Sequence, residues 1–209
     1  MKINRAVAFL LTVLLLLPSC GGAKAQNSLD DYQTDLSAEQ LLKQVKRDGF
    51  VVMEDGDVSI GQEIFRDFYE KTQAGESATV QLATYYTLDE ANVSEEYYEE
   101  NKDKYPVIYL AELTYDGKTY TYRSLNGLDG EHGFSQTYPY LLRYEDVPKS
   151  STATYEVCER YVLVHDQDVT YDRLQYGLYS SQLGDYIDHR EVYSDYQYKP
   201  EYAEREKSK

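Results

Sequence analysis

The chain predicts an α+β fold, with N-terminal helices packed on one face of a mostly antiparallel sheet of about five strands and a short C-terminal helix. Three observations predict it. Two early segments carry apolar residues at helical spacing, the middle and late segments alternate apolar with polar residues, and turn residues join the alternating runs as hairpins. At 209 residues, 42% of them hydrophobic, the length suits one compact domain with a real core, expected over residues 37–198.

Ser37 opens the first helix. With Gln40 it forms a capping box, Leu41, Leu42 and Val45 supply the apolar stripe, and Gly49 closes it. Phe50 to Met53 then reads as a short buried strand ending at Asp55-Gly56. A second helix is expected from about Gln62 to Ala74, with Ile64, Phe65, Phe68 and Tyr69 on one face to pack against a sheet, and Gly75 to stop it. The segment Glu54 to Ser59 invites comparison with a calcium loop but fails it. Ile60 stands where the sharp-turn glycine belongs, and Arg66 occupies the place of the closing glutamate. It reads instead as a turn, with Asp57 or Ser59 placed to cap the second helix.

Thr79 to Thr87 has strand alternation, with Val80, Leu82, Thr84 and Tyr86 on one side. The acidic stretch Asp89 to Lys104 reads as a solvated helix or loop, with Ser94 as its cap. Tyr105 to Tyr115 and Lys118 to Leu125, joined by Asp116-Gly117, predict a tight hairpin in which both central residues take positive φ. Tyr155 to His165 is a further long alternating strand. A short helix follows over about Tyr171 to Leu183, ended by Gly184, and then a strand-like piece from Glu191 to Tyr198. The charged tail, residues 199–209, is expected to be disordered. There is no internal repeat.

The N-terminus carries an address. Lys2 and Arg5 precede a twelve-residue run, Ala6 to Leu17, interrupted only by Thr12. A membrane-spanning helix needs roughly 20 apolar residues, so this run fits the apolar region of a secretory signal. Leu17-Pro18-Ser19-Cys20 resembles the lipobox of bacterial lipoproteins, with Leu at −3, a small residue at −1 and Cys at +1; Pro18 departs from the commoner Ala or Ser. The resemblance implies that residues 1–19 are a signal peptide, that the Cys20 thiol takes diacylglycerol, and that cleavage occurs just before it. Two acyl chains, at about 0.8 kcal/mol per buried methylene, anchor a protein stably without a span. The expected location is the extracytoplasmic face of the bacterial cell membrane, with residues 20–36 as a flexible tether.

The formal net charge is −16, and it becomes two units more negative when Lys2 and Arg5 are removed. A surface of that sign is wrong for nucleic acid, which needs cations to displace phosphate counterions. It also repels anionic lipid within a Debye length, so the folded part should stand off the membrane. With Cys20 acylated, Cys158 is the remaining cysteine. No intramolecular disulfide can form, and its place in an alternating run suits a small core residue. Tyrosine is over-represented: 24 Tyr against five Phe and no Trp. Its apolar body and polar edge suit half-wet strands, and a row of exposed tyrosines also suits a peptide or sugar.

From about Asp48 to His165 the layout is similar to a family of small Gram-positive lipoproteins described only as a domain of unknown function. The likeness lies in Gly56-Asp57-Val58 before the second helix, Phe65 and Phe68 within it, and the strand around Val80 to Tyr86. It continues in the hairpin Leu113-Thr114-Tyr115-Asp116-Gly117-Lys118 and the strand Thr119 to Arg123, which leads into a loop rich in Gly and Asp. The acidic insert and everything past about Asp166 lie outside the pattern. The family has no assigned activity, so the resemblance implies fold and location.

Asn126 to Gly133 is the segment richest in chemistry. Its turn residues surround Asp129, Glu131 and His132, the residue types that bind ions or move protons, although the same composition makes a long hairpin loop. The histidines, His132, His165 and His189, show no i, i+4 spacing and no pairing with cysteine. Ser180-Ser181 lacks a nucleophile elbow, and no Gly-rich phosphate loop occurs. The expectation is therefore a non-enzymatic module without catalytic residue, metal or cofactor. Its partners are the membrane, through the lipid on Cys20, and an envelope protein, peptide or small ligand. The alternative is a divalent-ion-binding protein or ion-dependent enzyme using Asp129, Glu131 and His132.

Overall fold

A computed structural model describes residues 28–32, 36–125 and 133–202. In chain order its elements are α1 (Ala38–Asp48), β1 (Val51–Glu54), β2 (Asp57–Ile60), α2 (Gln62–Gln73), β3 (Ala78–Tyr86), α3 (Glu95–Asn101), β4 (Val107–Tyr115) and β5 (Tyr120–Ser124). After these come β6 (Phe134–Tyr138), β7 (Tyr140–Asp146), β8 (Tyr155–Val164), α4 (Tyr171–Tyr179) and β9 (His189–Tyr198).

The fold is α+β. Its strands form two sheets rather than the expected single sheet of about five strands: a six-stranded sheet in the order β2-β1-β3-β4-β5-β6 and a three-stranded sheet in the order β7-β8-β9. Every pair is antiparallel except β1 with β3, where α2 carries the chain back so that both strands run the same way. Only Pro139 separates β6 from β7. Proline cannot donate to a ladder, and here the chain leaves the first sheet and enters the second.

Strand alternation sorts residues into layers. Val51, Val80, Leu82, Ala111, Leu113 and Tyr120 of the first sheet face Tyr161, Leu163, Val192 and Tyr193 of the second, forming the main core. Phe65 and Phe68 of α2 enter that same core. The opposite face of the first sheet presents Val52, Ala83, Ile108 and Leu110 to Leu41 and Val45 of α1. The outer face of the second sheet meets α4 through Val162, Val164 and Leu174. The two early helices thus do not share a face: α1 covers the outside of the large sheet, whereas α2 wedges between the sheets.

The α1 capping box forms as expected, with the Gln40 amide donating to Ser37 Oγ and Gly49 closing the helix at φ 88°. The expected tether, however, contributes to the core. Leu29 is fully buried, Tyr32 is 4% exposed, and the Tyr32 ring meets Phe50 edge-on at 5.0 Å. Ser28 and Asp31 form their own capping box around the 3-10 turn Leu29–Asp31.

The two Asp-Gly turns behave differently. Asp55 and Gly56 both lie at positive φ (50° and 97°), making a two-residue turn between Glu54 and Asp57, so the expected turn at 54–59 is a β1–β2 hairpin. Asp116 does not take positive φ. Its carboxylate accepts from the amides of Lys118 and Thr119, both at 2.8 Å, and the strands pair Tyr115 with Tyr120 around a longer loop.

Asp57 and Ser59 lie within β2 and cap nothing; Gly61 precedes α2 without a side-chain cap. Gly61 is required there, because its φ is 92° and a Cβ would sit 2.8 Å from the Val51 Cα. Ser94 caps α3 as expected. The last helix ends at Tyr179, short of Leu183, where the Ser180 hydroxyl turns to Asp185 at 2.5 Å. Among the described residues no helix is long and apolar enough to cross a membrane.

Candidate functional site

The space between the sheets is closed at one end and open at the other. Phe65 of α2 lies flat on Tyr193 of β9, ring centroids 4.0 Å apart and planes 7° from parallel. Tyr161 of β8 meets Phe65 edge-on at 4.9 Å and Tyr69 at 4.9 Å. These rings fill the α2 end. The inner-face positions of β1, β3, β4 and β5 continue beyond them as Met53, Thr84, Tyr86, Tyr109 and Tyr122.

The result is a cleft of about 180 Å³. Leu82, Ala111 and Met53 supply its apolar wall, and Tyr86, Tyr109, Tyr122 and Tyr193 its aromatic one. Thr84 and Ser194 add hydroxyls, with Glu191 and Val192 completing the β9 side. Tyr86 and Tyr109 meet at 6.2 Å and 64°, and Tyr86 is 40% exposed, which puts it at the mouth. Tyr193 is 2% exposed and marks the closed end. An engineered apolar cavity of about 150 Å³ holds one benzene ring, so this cleft suits a molecule of single-ring size.

The electrostatics keep the lining neutral. Burial raises the phenols of Tyr86 and Tyr122, with Arg190 opposing the rise at Tyr122, and burial pushes Tyr193 well above the usual tyrosine range. All three are hydroxyl donors at neutral pH. Burial also raises the Glu191 carboxyl, opposed by Arg160, whose guanidinium donates to both its oxygens at 2.9 and 3.2 Å. Arg160 further pairs with Asp146 at 3.4 Å. The charge of Glu191 is therefore already matched.

Other candidate chemistry lies elsewhere. Asp129, Glu131 and His132 fall outside the described residues, as does Cys20. Cys158 is fully buried, and burial holds its thiol up at about 11, which suits a core residue. His165 and Asp188, distant in sequence, come within 3.1 Å, and the same Asp188 oxygen accepts from Gln136 at 2.7 Å; both side chains are half exposed. His189 sits apart, with Nδ1 2.6 Å from the Ile187 carbonyl oxygen. Among the described residues no group of three or more His, Cys, Asp or Glu is arranged to hold a metal.

Strand alternation put Thr84 and Tyr86 on the same side as Val80 and Leu82, and Leu82, Thr84 and Tyr86 are the β3 wall of the cleft. It did not bring Tyr109, Tyr122 and Tyr193 to them, because nothing local reports which sheet a strand joins. The abundance of tyrosine was the available signal.

No protein-family model, curated protein or solved structure matches the chain.

Burial of neutral Cys158 and Tyr161 sets a pH dependence. The folded chain holds Cys158 at about 11 and Tyr161 at about 12, above their ordinary values of 9.0 and 10.0. The unfolded chain loses these protons first. Stability is thus fully present below about pH 9 and falls as pH rises through 9 to 12. Urea denaturation across that range should show the decline, and Cys158→Ala should flatten its first part; a midpoint unchanged to pH 11 would contradict it.

Proposed function

We propose that this chain is a lipid-anchored, extracytoplasmic, non-enzymatic binding module whose inter-sheet cleft holds a small ligand. The observation that carries the ligand reading is the cleft of about 180 Å³ walled by tyrosines from both sheets. Small-molecule sites are concave and mostly apolar with a few placed polar groups, and the cleft has that composition. Its volume sits below the roughly 300–1,000 Å³ typical of drug-sized ligands, which restricts the occupant to one ring or a short branched chain.

The location rests on sequence. Lys2, Arg5, the run Ala6 to Leu17 and the lipobox-like Leu17-Pro18-Ser19-Cys20 direct export and acylation. The negative charge then holds the folded part off the anionic bilayer, leaving the mouth at Tyr86 open to solvent. Binding by shape and neutral hydroxyls, with the one lining carboxylate, Glu191, already held by Arg160, is reversible capture.

Two measurements test the proposal. Cys20→Ser, expressed in a bacterial host, should move the protein out of the membrane fraction; membrane retention of this variant would contradict anchoring at Cys20. For the cleft, single-ring compounds such as phenol should perturb tyrosine emission, which no tryptophan masks in this chain. Thr84→Phe, which fills the cleft from its wall, should weaken that binding at least tenfold. Equal binding by wild type and a folded Thr84→Phe chain would remove the cleft as the site.

A further inference from the structure

Beside the cleft, stacked on its Tyr122 but not itself among the lining residues, stands an arginine with no carboxylate partner among the described residues. Arg190 faces inward opposite Leu163, and its guanidinium carbon lies 4.8 Å from the Tyr122 ring centre and 4.5 Å from that of Phe134. Arg123, Arg160 and Arg173 are likewise partly buried, and each holds a carboxylate: Asp30, Asp146 with Glu191, and Asp185. Arg190 has no carboxylate within 4 Å among the described residues, in a chain with 37 acids against 21 bases. Asp188, two positions away, is turned to His165 and Gln136.

The unmet demand is local. Arg190 Nε is buried with no hydrogen-bond partner among the described residues, and the same holds for the hydroxyl of fully buried Tyr138. Both Arg190 and Asp188 act on that phenol, one lowering and the other raising it, with burial the larger cause of its rise. Buried polar groups are paired in folded proteins by protein, water or ligand. Stacking over Tyr122 and Phe134 covers a face of the guanidinium, and its N–H groups lie close enough to the Tyr122 and Tyr138 hydroxyls to lower both phenols, but no carboxylate among the described residues takes the fork that fits one. Tyr122 is shared: its ring bears Arg190 and also lines the cleft.

We infer that the cleft takes a small monocarboxylate, its single-ring or branched apolar body lying among Tyr86, Tyr109 and Tyr122 and its carboxylate reaching Arg190. This rests on the cleft being a ligand site and adds the charge of the ligand and the residue that anchors it. A cationic ligand fits less well. The one acid lining the cleft, Glu191, is already matched by Arg160, and Arg190 beside the cleft has no carboxylate partner among the described residues.

Benzoate and its uncharged isostere benzamide, titrated by calorimetry into the full chain in mild detergent at pH 7 and low salt, separate the possibilities. Benzoate should bind at least tenfold more tightly than benzamide. Arg190→Gln should cut benzoate affinity at least tenfold and benzamide affinity far less, so that the preference for benzoate disappears. Equal affinities in the wild type would overturn the inference and leave the cleft reading standing, as would benzoate binding that survives Arg190→Gln. The wild-type comparison decides the matter even where the variant fails to fold. If neither benzoate, benzamide nor phenol binds, the cleft reading falls together with it.

Discussion

The flat contact between Phe65 and Tyr193 determines how the two sheets meet. Phe65 belongs to the helix that follows the first hairpin, and Tyr193 to the last strand, so the contact ties early chain to late chain. Tyr161 meets both rings edge-on, at 4.9 Å to Phe65 and 5.6 Å to Tyr193. Offset-stacked and edge-to-face pairs each add about 0.5–1.5 kcal/mol beyond the area they bury. Polar contacts reinforce the junction at its rim: Tyr198 donates to Asp57 at 2.5 Å, and Arg66 lies 3.5 Å from Asp195. With α2 wedged there, the sheets close at that end and remain apart at the other.

The opening is thus a consequence of how the core is plugged. Tyr86, Tyr109 and Tyr122 occupy the same inner-face rows as Val80, Leu113 and Tyr120, but they line the cleft instead of packing into the plug around Phe65. An aliphatic side chain in those rows would leave an exposed greasy groove. Tyrosine presents an apolar face inward and a hydroxyl at the rim, which lets the cleft stay open in water. This accounts for part of the unusual tyrosine content; Tyr138, Tyr161 and Tyr193, all buried, account for another part as ordinary core.

Local chemistry was readable where one short segment decides the outcome. Ser37 with Gln40, Gly49, Gly75 and Ser94 mark helix ends that the structure places where the residues indicate. Alternation placed β3, β8 and β9 to within a few residues. What the sequence withheld was set by distant partners. β2 is only four residues long and hides behind Asp55-Gly56, and β6–β7 contains a proline that argues against a continuous strand. Ile64 lies beside Phe65 in sequence yet is exposed, because α2 buries only the narrow stripe of Phe65, Phe68 and Thr72. The pairing of Arg160 with Asp146 and Glu191, and the stacking of Arg190 on Tyr122 and Phe134, depend on strand order and could not be read from spacing.

A double-mutant cycle on Phe65→Leu and Tyr193→Leu, with stability measured by urea denaturation, tests the central claim most directly. Coupling of about 0.5–1.5 kcal/mol is expected if the stacked rings hold the sheets together at the α2 end. Additive effects of the two substitutions would show that the rings do not depend on each other, and would contradict this account of how the inter-sheet space is closed.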